Sequence, residues 1–206
     1  LQDRLPPFSQ AEAEAAVAQS LEKPVLQAFA SFGPSVAAAS IAQVHRARIA
    51  GTGEDVAVKV LRPGIERAFR RDIDAFYLAA SLIERTLPST RRLRPTDVIA
   101  HFEGVVLGEL DLRLETAAAA EFAANTESDE GFRVPRPVWH LSARRMMTLG
   151  WAEGVPLGDN AAIDALGVDR TELGERVLTL FLKHALRDGY FHADMHQGNL
   201  RLPRTG

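Results

Sequence analysis

A chain of 206 residues with 46% hydrophobic and 25% charged residues has enough apolar material for one large domain or two small ones, in the balance of an ordinary globular protein. A net charge of −3 gives no compositional reason to expect a nucleic-acid partner. The absence of cysteine excludes a disulfide framework, a thiolate metal site and a cysteine nucleophile, and is compatible with a reducing compartment.

The opening LQDRLPPFSQ is polar and proline-broken, unlike a signal peptide, and the Leu at position 1 reads as the start of a piece of a longer protein. Ser9 followed by Glu12 is a capping box for a short Ala/Glu-rich helix ending near Pro24. The apolar stretch 25–33 starts a strand region. Residues 40–49 alternate, with Ile41, Val44 and Ile49 apolar and Gln43, His45 and Arg48 between them. The turn GTGED and the β-branched DVAVKVL (55–61) complete a hairpin.

Pro63 suits the first turn of a helix, and Ile65, Phe69, Ile73, Phe76, Tyr77 and Ile83 keep helical spacing up to Pro88. Thr96 is placed to cap one long helix or two in series over 97–125. The polar face there carries Glu103, Glu109, Asp111, Glu115 and Glu121. Two short strands fit 137–151. Thr171 to Asp188 is an amphipathic helix with Val177, Leu178, Phe181, Leu182 and Leu186 on its apolar face, stopped by Gly189. No apolar run approaches the roughly 20 residues that cross a bilayer.

Four stretches carry chemistry. Lys59, mid-strand in VAVKV, is costly to half-bury unless it meets an anion, though a lysine snorkelling from a sheet edge is the ordinary alternative. The small side chains Ala37, Ala38, Ala39 and Ser40 let a backbone approach a ligand, as glycine loops do around phosphates; they also suit the start of a helix. In GELDLRLE (108–115), Asp111 and Glu115 share a helical face and Glu109 does not; one carboxylate of this set can pair with Lys59, or all can be solvated. Finally, YFHADMHQGN (190–199) has the spacing H-x-D-x-x-x-x-N of a kinase catalytic loop, in which the Asp accepts a hydroxyl proton and the Asn ligates Mg²⁺. A zinc site from His184, His192 and His196 and a plain polar loop are the competing readings. The four stretches stand in the chain order that a kinase-type ATP site needs.

The runs AAASIAQVHRA, VAVKVLRPGI, ELDLRLE and FHADMHQGN resemble the UbiB family, also called the ADCK-type atypical kinases, over nearly the whole chain. The resemblance implies an α+β, protein-kinase-like fold: an antiparallel β N-lobe with inserted helices, residues 1–151, and the beginning of a helical C-lobe, residues 152–206. It implies ATP and Mg²⁺ as cofactors and activity as a kinase or ATPase supporting ubiquinone biosynthesis. Ala37–Ser40 match the loop over the nucleotide, Lys59 the phosphate lysine and Glu115 its helix partner. Glu109 and Asp111 match the family's ExD motif, Leu149 and Trp151 flank the hinge, Asp194 matches the catalytic Asp and Asn199 the metal-binding Asn. Gly150 stands where an acidic hinge residue is common.

The KxGQ motif of the family's N-terminal extension is absent from the sequence, as is the DFG motif whose Asp is the second metal ligand. On that ground this chain is expected to be catalytically incomplete. Lipophilic quinone precursors and other ubiquinone-biosynthesis proteins are the implied partners besides nucleotide. The implied location is cytoplasmic and peripheral to the inner membrane, with membrane attachment confined to segments of the full-length parent. A small-molecule phosphotransferase of the aminoglycoside- or choline-kinase type shares the HxDxxxxN loop, and a non-catalytic pseudokinase scaffold is the third reading.

Overall fold

A computed structural model describes residues 6–193 and 195–204. The chain divides into two compact units, residues 1–117 with 137–149 and residues 118–136 with 150–206.

The first unit is built on a four-stranded sheet, β1 (Phe29–Ala38), β2 (Ala42–Ile49), β3 (Asp55–Leu61) and β4 (Met146–Gly150), in that spatial order. β2 pairs antiparallel with β3, as the hairpin signal at GTGED predicts, and β1 pairs antiparallel with β2. Gly53 N–H closes the β2–β3 turn on the Ile49 carbonyl at 3.0 Å.

α1 (Gln10–Leu21) opens with the expected capping box: the Ser9 side chain accepts from Glu12 N–H, and the Glu12 carboxylate accepts from Ser9 N–H. Residues 25–28 differ from the strand expectation. They form a one-turn helix, α2 (Val25–Ala28), before β1 begins. One core gathers Val17 of α1, Phe29, Ala47, Ile49, Val56, Val58, Val60 and Met146. A second gathers Ala42, Leu61 and Met147 with residues of three helices, α3 (Ile65–Thr86), α4 (Pro95–Glu109) and α5 (Leu112–Asn125).

The alternation of β2 is real, but its buried face carries two polar side chains as well as apolar ones. Gln43 and His45 are buried with Ala47 and Ile49, while Arg46 and Arg48 are exposed. Burial is tolerated because every polar atom finds a partner. Gln43 Oε1 accepts from Phe8 N–H at 3.1 Å, Gln43 Nε2 lies 2.8 Å from His45 Nε2, and His45 Nδ1 lies 2.8 Å from the Gly33 carbonyl.

Two helix starts also differ from expectation. α3 begins at Ile65 with Gly64, φ 75°, as its N-cap, so Pro63 lies outside the helix. α4 begins at Pro95, whose missing N–H and fixed φ suit the first helical position, and this makes Arg94 rather than Thr96 the N-cap. The segment 97–125 is two helices, broken at Leu110–Asp111.

In the second unit, α6 (Asn160–Ala165) and α7 (Arg170–Lys183) follow the two-residue strand β5 (Val155–Pro156). α7 runs into a π-helical turn, His184–Asp188, ended by Gly189 at φ 64°. The expected apolar face is there in sequence, yet Leu178, Leu182 and Leu186 are exposed and the buried residue is His184. Phe122 packs edge-on against Phe132, at 5.8 Å, and against His184, at 5.2 Å.

Candidate functional site

Lys59 sits on β3 on the face opposite Val56, Val58 and Val60, as period-two alternation requires. Its cross-strand partner is Val44, and the partner of Val44 on β1 is Ala37. Ala37, Val44 and Lys59 thus form one row on one face of the sheet, with strands spaced about 4.8 Å apart. Ala38 belongs to the neighbouring row with Gln43 and Val60, on the opposite face. Ala37 and Ala38 end β1 rather than forming a free loop. The turn is made by Ala39, Ser40 and Ile41, and Ala39 N–H donates to the Ala42 carbonyl at 2.8 Å. Arg62, just past β3, donates from its main chain to the Ile41 carbonyl at 2.7 Å.

Glu115, on the first turn of α5, takes the Lys59 ammonium between both carboxylate oxygens, at 2.7 and 2.6 Å. The helix break just upstream explains the other two carboxylates. Glu109 is the last residue of α4 and is exposed. Asp111 precedes α5, where its Oδ1 accepts from Arg113 N–H at 3.1 Å and its carboxylate takes the Arg113 guanidinium. The Arg113 hydrogen bond holds the Asp111 carboxyl below the usual range. Of the three acids in GELDLRLE, the structure brings Glu115 alone to Lys59.

Leu149 lies in β4 and bridges Pro137. In the second unit, Gly150 N–H donates to the Arg136 carbonyl at 3.0 Å, and the Arg201 guanidinium stacks over the Trp151 ring, 5.9 Å from its centre.

Asp194, the expected catalytic acid, lies outside the described residues. Asn199 is held by a tight turn: its N–H donates to the His196 carbonyl at 2.9 Å, and Gly198 N–H donates to His196 Nδ1 at 3.0 Å. His196 therefore shapes the turn. Directly after Asn199 the chain is fixed by β6 (Arg201–Leu202), which pairs antiparallel with β5. Leu157 N–H donates to the Leu200 carbonyl, and Arg201 donates to the Gly154 carbonyl.

The zinc reading finds no support. His184 is committed to Asp129 at 2.9 Å, and among the described residues no group of three or more His, Asp or Glu is gathered to hold a metal ion. The Asn199 carboxamide is instead a single hard oxygen donor. That suits Mg²⁺, which takes one or two protein ligands and completes its shell with phosphates and water. A residue that sequence reasoning passed over, Asp129, is held by three basic side chains, Lys183, His184 and Arg187. Its only sequence signal is a position in the charged run ESDEG.

The family model described as the ABC1 atypical kinase-like domain matches residues 1–206. Among curated relatives, a protein of Marinobacter nauticus named probable protein kinase UbiB is 38% identical over 201 residues, and one of the same name from Xanthomonas oryzae pv. oryzae is 42% identical over 205. Each alignment covers 97% of this chain, which spans 37% of the relative's length. A solved structure described as the complex of Rv3197 with erythromycin from Mycobacterium tuberculosis superposes with a TM-score of 0.76 at 30% identity. It covers 96% of this chain and 49% of that one. No helix among the described residues is long and apolar enough to cross a membrane.

Proposed function

The chain belongs to the ABC1 atypical kinase-like family, which implies nucleotide binding, and from that premise we propose that it carries the ATP-binding part of a UbiB-type kinase or ATPase that supports ubiquinone biosynthesis. The observation that carries this reading is the Lys59–Glu115 pair, with Ala37 two strands away in the same row. A lysine fixed by a helix carboxylate presents a positive charge at one place, which is what binding an α/β-phosphate requires.

In this reading residues 1–151 are the N-lobe and residues 152–206 the start of the C-lobe. The end of β1 at Ala37 and Ala38, with Ala39 and Ser40 of the turn after it, lies over the nucleotide, and Leu149 and Trp151 flank the hinge beside the base. Glu109 and Asp111 serve through the helix break they define, with Asp111 fixing the start of α5 and hence Glu115. Asn199 would hold Mg²⁺, which when bound supplies charge neutralisation on the phosphates. Asp194 orients or deprotonates the attacking group. Lipophilic quinone precursors are the substrates or effectors that the family name suggests. A location peripheral to the inner membrane belongs to the longer protein.

The test is isothermal titration of the purified chain with ADP and ATP, with and without Mg²⁺. A Lys59-dependent heat supports the reading, and the absence of any nucleotide binding refutes it. A second reading, a small-molecule phosphotransferase, draws on the erythromycin complex of the structural neighbour. It predicts that erythromycin or an aminoglycoside raises ATP turnover where a quinone-like phenol does not.

A further inference from the structure

Asp129 is a buried charge that nucleotide binding does not explain. It follows α5 in a turn, 1% exposed, with its own N–H on the Thr126 carbonyl at 3.0 Å. Its Oδ1 takes Lys183 Nζ at 2.6 Å and Arg187 Nη1 at 2.7 Å, and its Oδ2 takes His184 Nε2 at 2.9 Å and Arg187 Nη2 at 3.1 Å. A carboxylate only accepts, so His184 Nε2 carries the proton. His184 Nδ1 is buried between aromatic rings without a hydrogen-bond partner among the described residues. The arginine and lysine hold the Asp129 carboxyl far below the usual carboxylate range.

All three side chains that grip Asp129 come from the end of α7 and the π-turn that extends it. Such turns are uncommon overall but frequent at functional sites. Arg187 reaches further, to Asp188 at 2.5 and 2.6 Å and to the Asn125 carbonyl at 3.3 Å. Gly189 then turns the chain out, Tyr190 Oη donates to the Ala118 carbonyl at 3.4 Å, and the loop to Asn199 begins. The helix end that launches the loop is thereby tied to the segment after α5 by ionic contacts with fixed directions. Asp129 and His184 are buried while Lys183 and Arg187 stay partly open to water, and ion pairs of either kind add little net stability. What they do supply is geometry.

We propose that Asp129 is a positioning residue for the loop bearing Asn199: by gathering Lys183, His184 and Arg187 on one carboxylate it fixes the point from which that loop departs, and so sets the metal-dependent part of nucleotide binding. This rests on the nucleotide-site reading above. Groups that orient a ligating residue typically change metal affinity by tenfold or more when removed, and small misplacements of such loops are costly.

The experiment uses the 206-residue chain as wild type, Asp129→Asn, His184→Gln and His184→Phe. It measures ADP affinity without metal, ADP affinity with Mg²⁺, and amide hydrogen exchange over residues 190–199 in the absence of nucleotide. In Asp129→Asn the Mg²⁺-dependent gain in affinity is expected to fall about tenfold, with metal-free affinity retained and exchange accelerated in 190–199 but not in β2 and β3. His184→Gln, which keeps an N–H for the carboxylate, stays near wild type, and His184→Phe follows Asp129→Asn. An unchanged Mg²⁺ gain with unchanged exchange overturns the proposal, as does a loss of both affinities together with exchange accelerated throughout the chain. A wild type that binds no ADP at all removes the nucleotide-site reading, and the exchange comparison then decides the positioning role alone. Should Asp129→Asn fail to fold, Lys183→Ala removes one contact while leaving the carboxylate paired and gives the same comparison.

Discussion

Lys59 Nζ lies within 2.7 Å of both carboxylate oxygens of Glu115, joining β3 to the first turn of α5 across 56 residues of sequence. The side chains remain 29% and 46% exposed. A pair that open to water contributes less than about 1 kcal/mol to stability, so its value lies in where it holds the ammonium. Lys59→Ala is therefore expected to leave the thermal midpoint nearly unchanged and to weaken ATP and ADP binding by tenfold or more, in line with removing a charge-assisted contact worth about 1.5–3 kcal/mol. Glu115→Gln, which frees the lysine without removing it, should cost less. Paired calorimetry and thermal melts check this, and undiminished affinity in Lys59→Ala would make Lys59 a surface lysine.

How much of this site the sequence discloses depends on the kind of signal. The hairpin and the side of β3 that bears Lys59 follow from period-two alternation and a glycine turn, both local. That Glu115 rather than Asp111 meets Lys59 depends on the helix break at Leu110–Asp111, and helical spacing alone groups the two acids on one face. β2 is the opposite case. Its alternation is legible, but which face is buried is decided by Phe8 and Gly33, distant partners that satisfy Gln43 and His45. Threonine is a good cap, which favours Thr96; Pro95, equally local, prevails. Asp129 is invisible in ESDEG because its partners come from 54 to 58 residues later and no periodicity connects them.

His45 gives the first unit a pH dependence. Burial lowers its pKa from the ordinary 6.5, outweighing the Gly33 carbonyl and the more distant Glu14 carboxylate, both of which favour the charged form. The folded state therefore binds the proton less readily than the unfolded chain. His45 costs nothing above the unfolded pKa and draws stability away as pH falls below about 6.5. Protonation would also place two donors face to face at the Gln43 amide, 2.8 Å away. Wild type should lose more of its thermal midpoint than His45→Gln between about pH 7.5 and pH 5.5. The carboxyls of Asp55, Asp111 and Asp129 are all held low and respond only in more acidic solution. Parallel melting curves for the two proteins would contradict this account.

Gly154 limits what the end of the loop can tolerate. Its φ is 127°, and a Cβ there would meet the Leu202 carbonyl oxygen at 2.5 Å and its carbon at 2.9 Å, both main-chain atoms of β6. Neither the backbone conformation nor the space admits a side chain. Gly154→Ala is expected to cost about 2 kcal/mol or more through strain and overpacking, and to separate β5 from β6, the pairing that fixes the chain just after Asn199. A thermal melt reads the first effect. Loss of exchange protection at Leu157, whose N–H bonds the Leu200 carbonyl, reads the second.

α7 separates pattern from packing. Leucines of α7 and of the π-turn that extends it recur four apart at 178, 182 and 186, a spacing that ordinarily marks a core-facing stripe, yet they are 58%, 45% and 84% exposed. The buried contacts of this region are made by His184 and by Phe122 of α5, at 8% exposure against Phe132 and His184. Single leucine-to-glutamine changes at 178 and 186 should therefore shift stability by no more than about 0.5 kcal/mol, the range for surface sites away from special contacts. Phe122→Ala, which empties a packed aromatic site, should cost about 3 kcal/mol or more. Denaturant titration of the three variants compares these directly. A leucine variant as damaging as Phe122→Ala would mean that the stripe is covered in solution, whereas equivalence to wild type leaves the aromatic cluster around His184 as what holds the end of α7 in place.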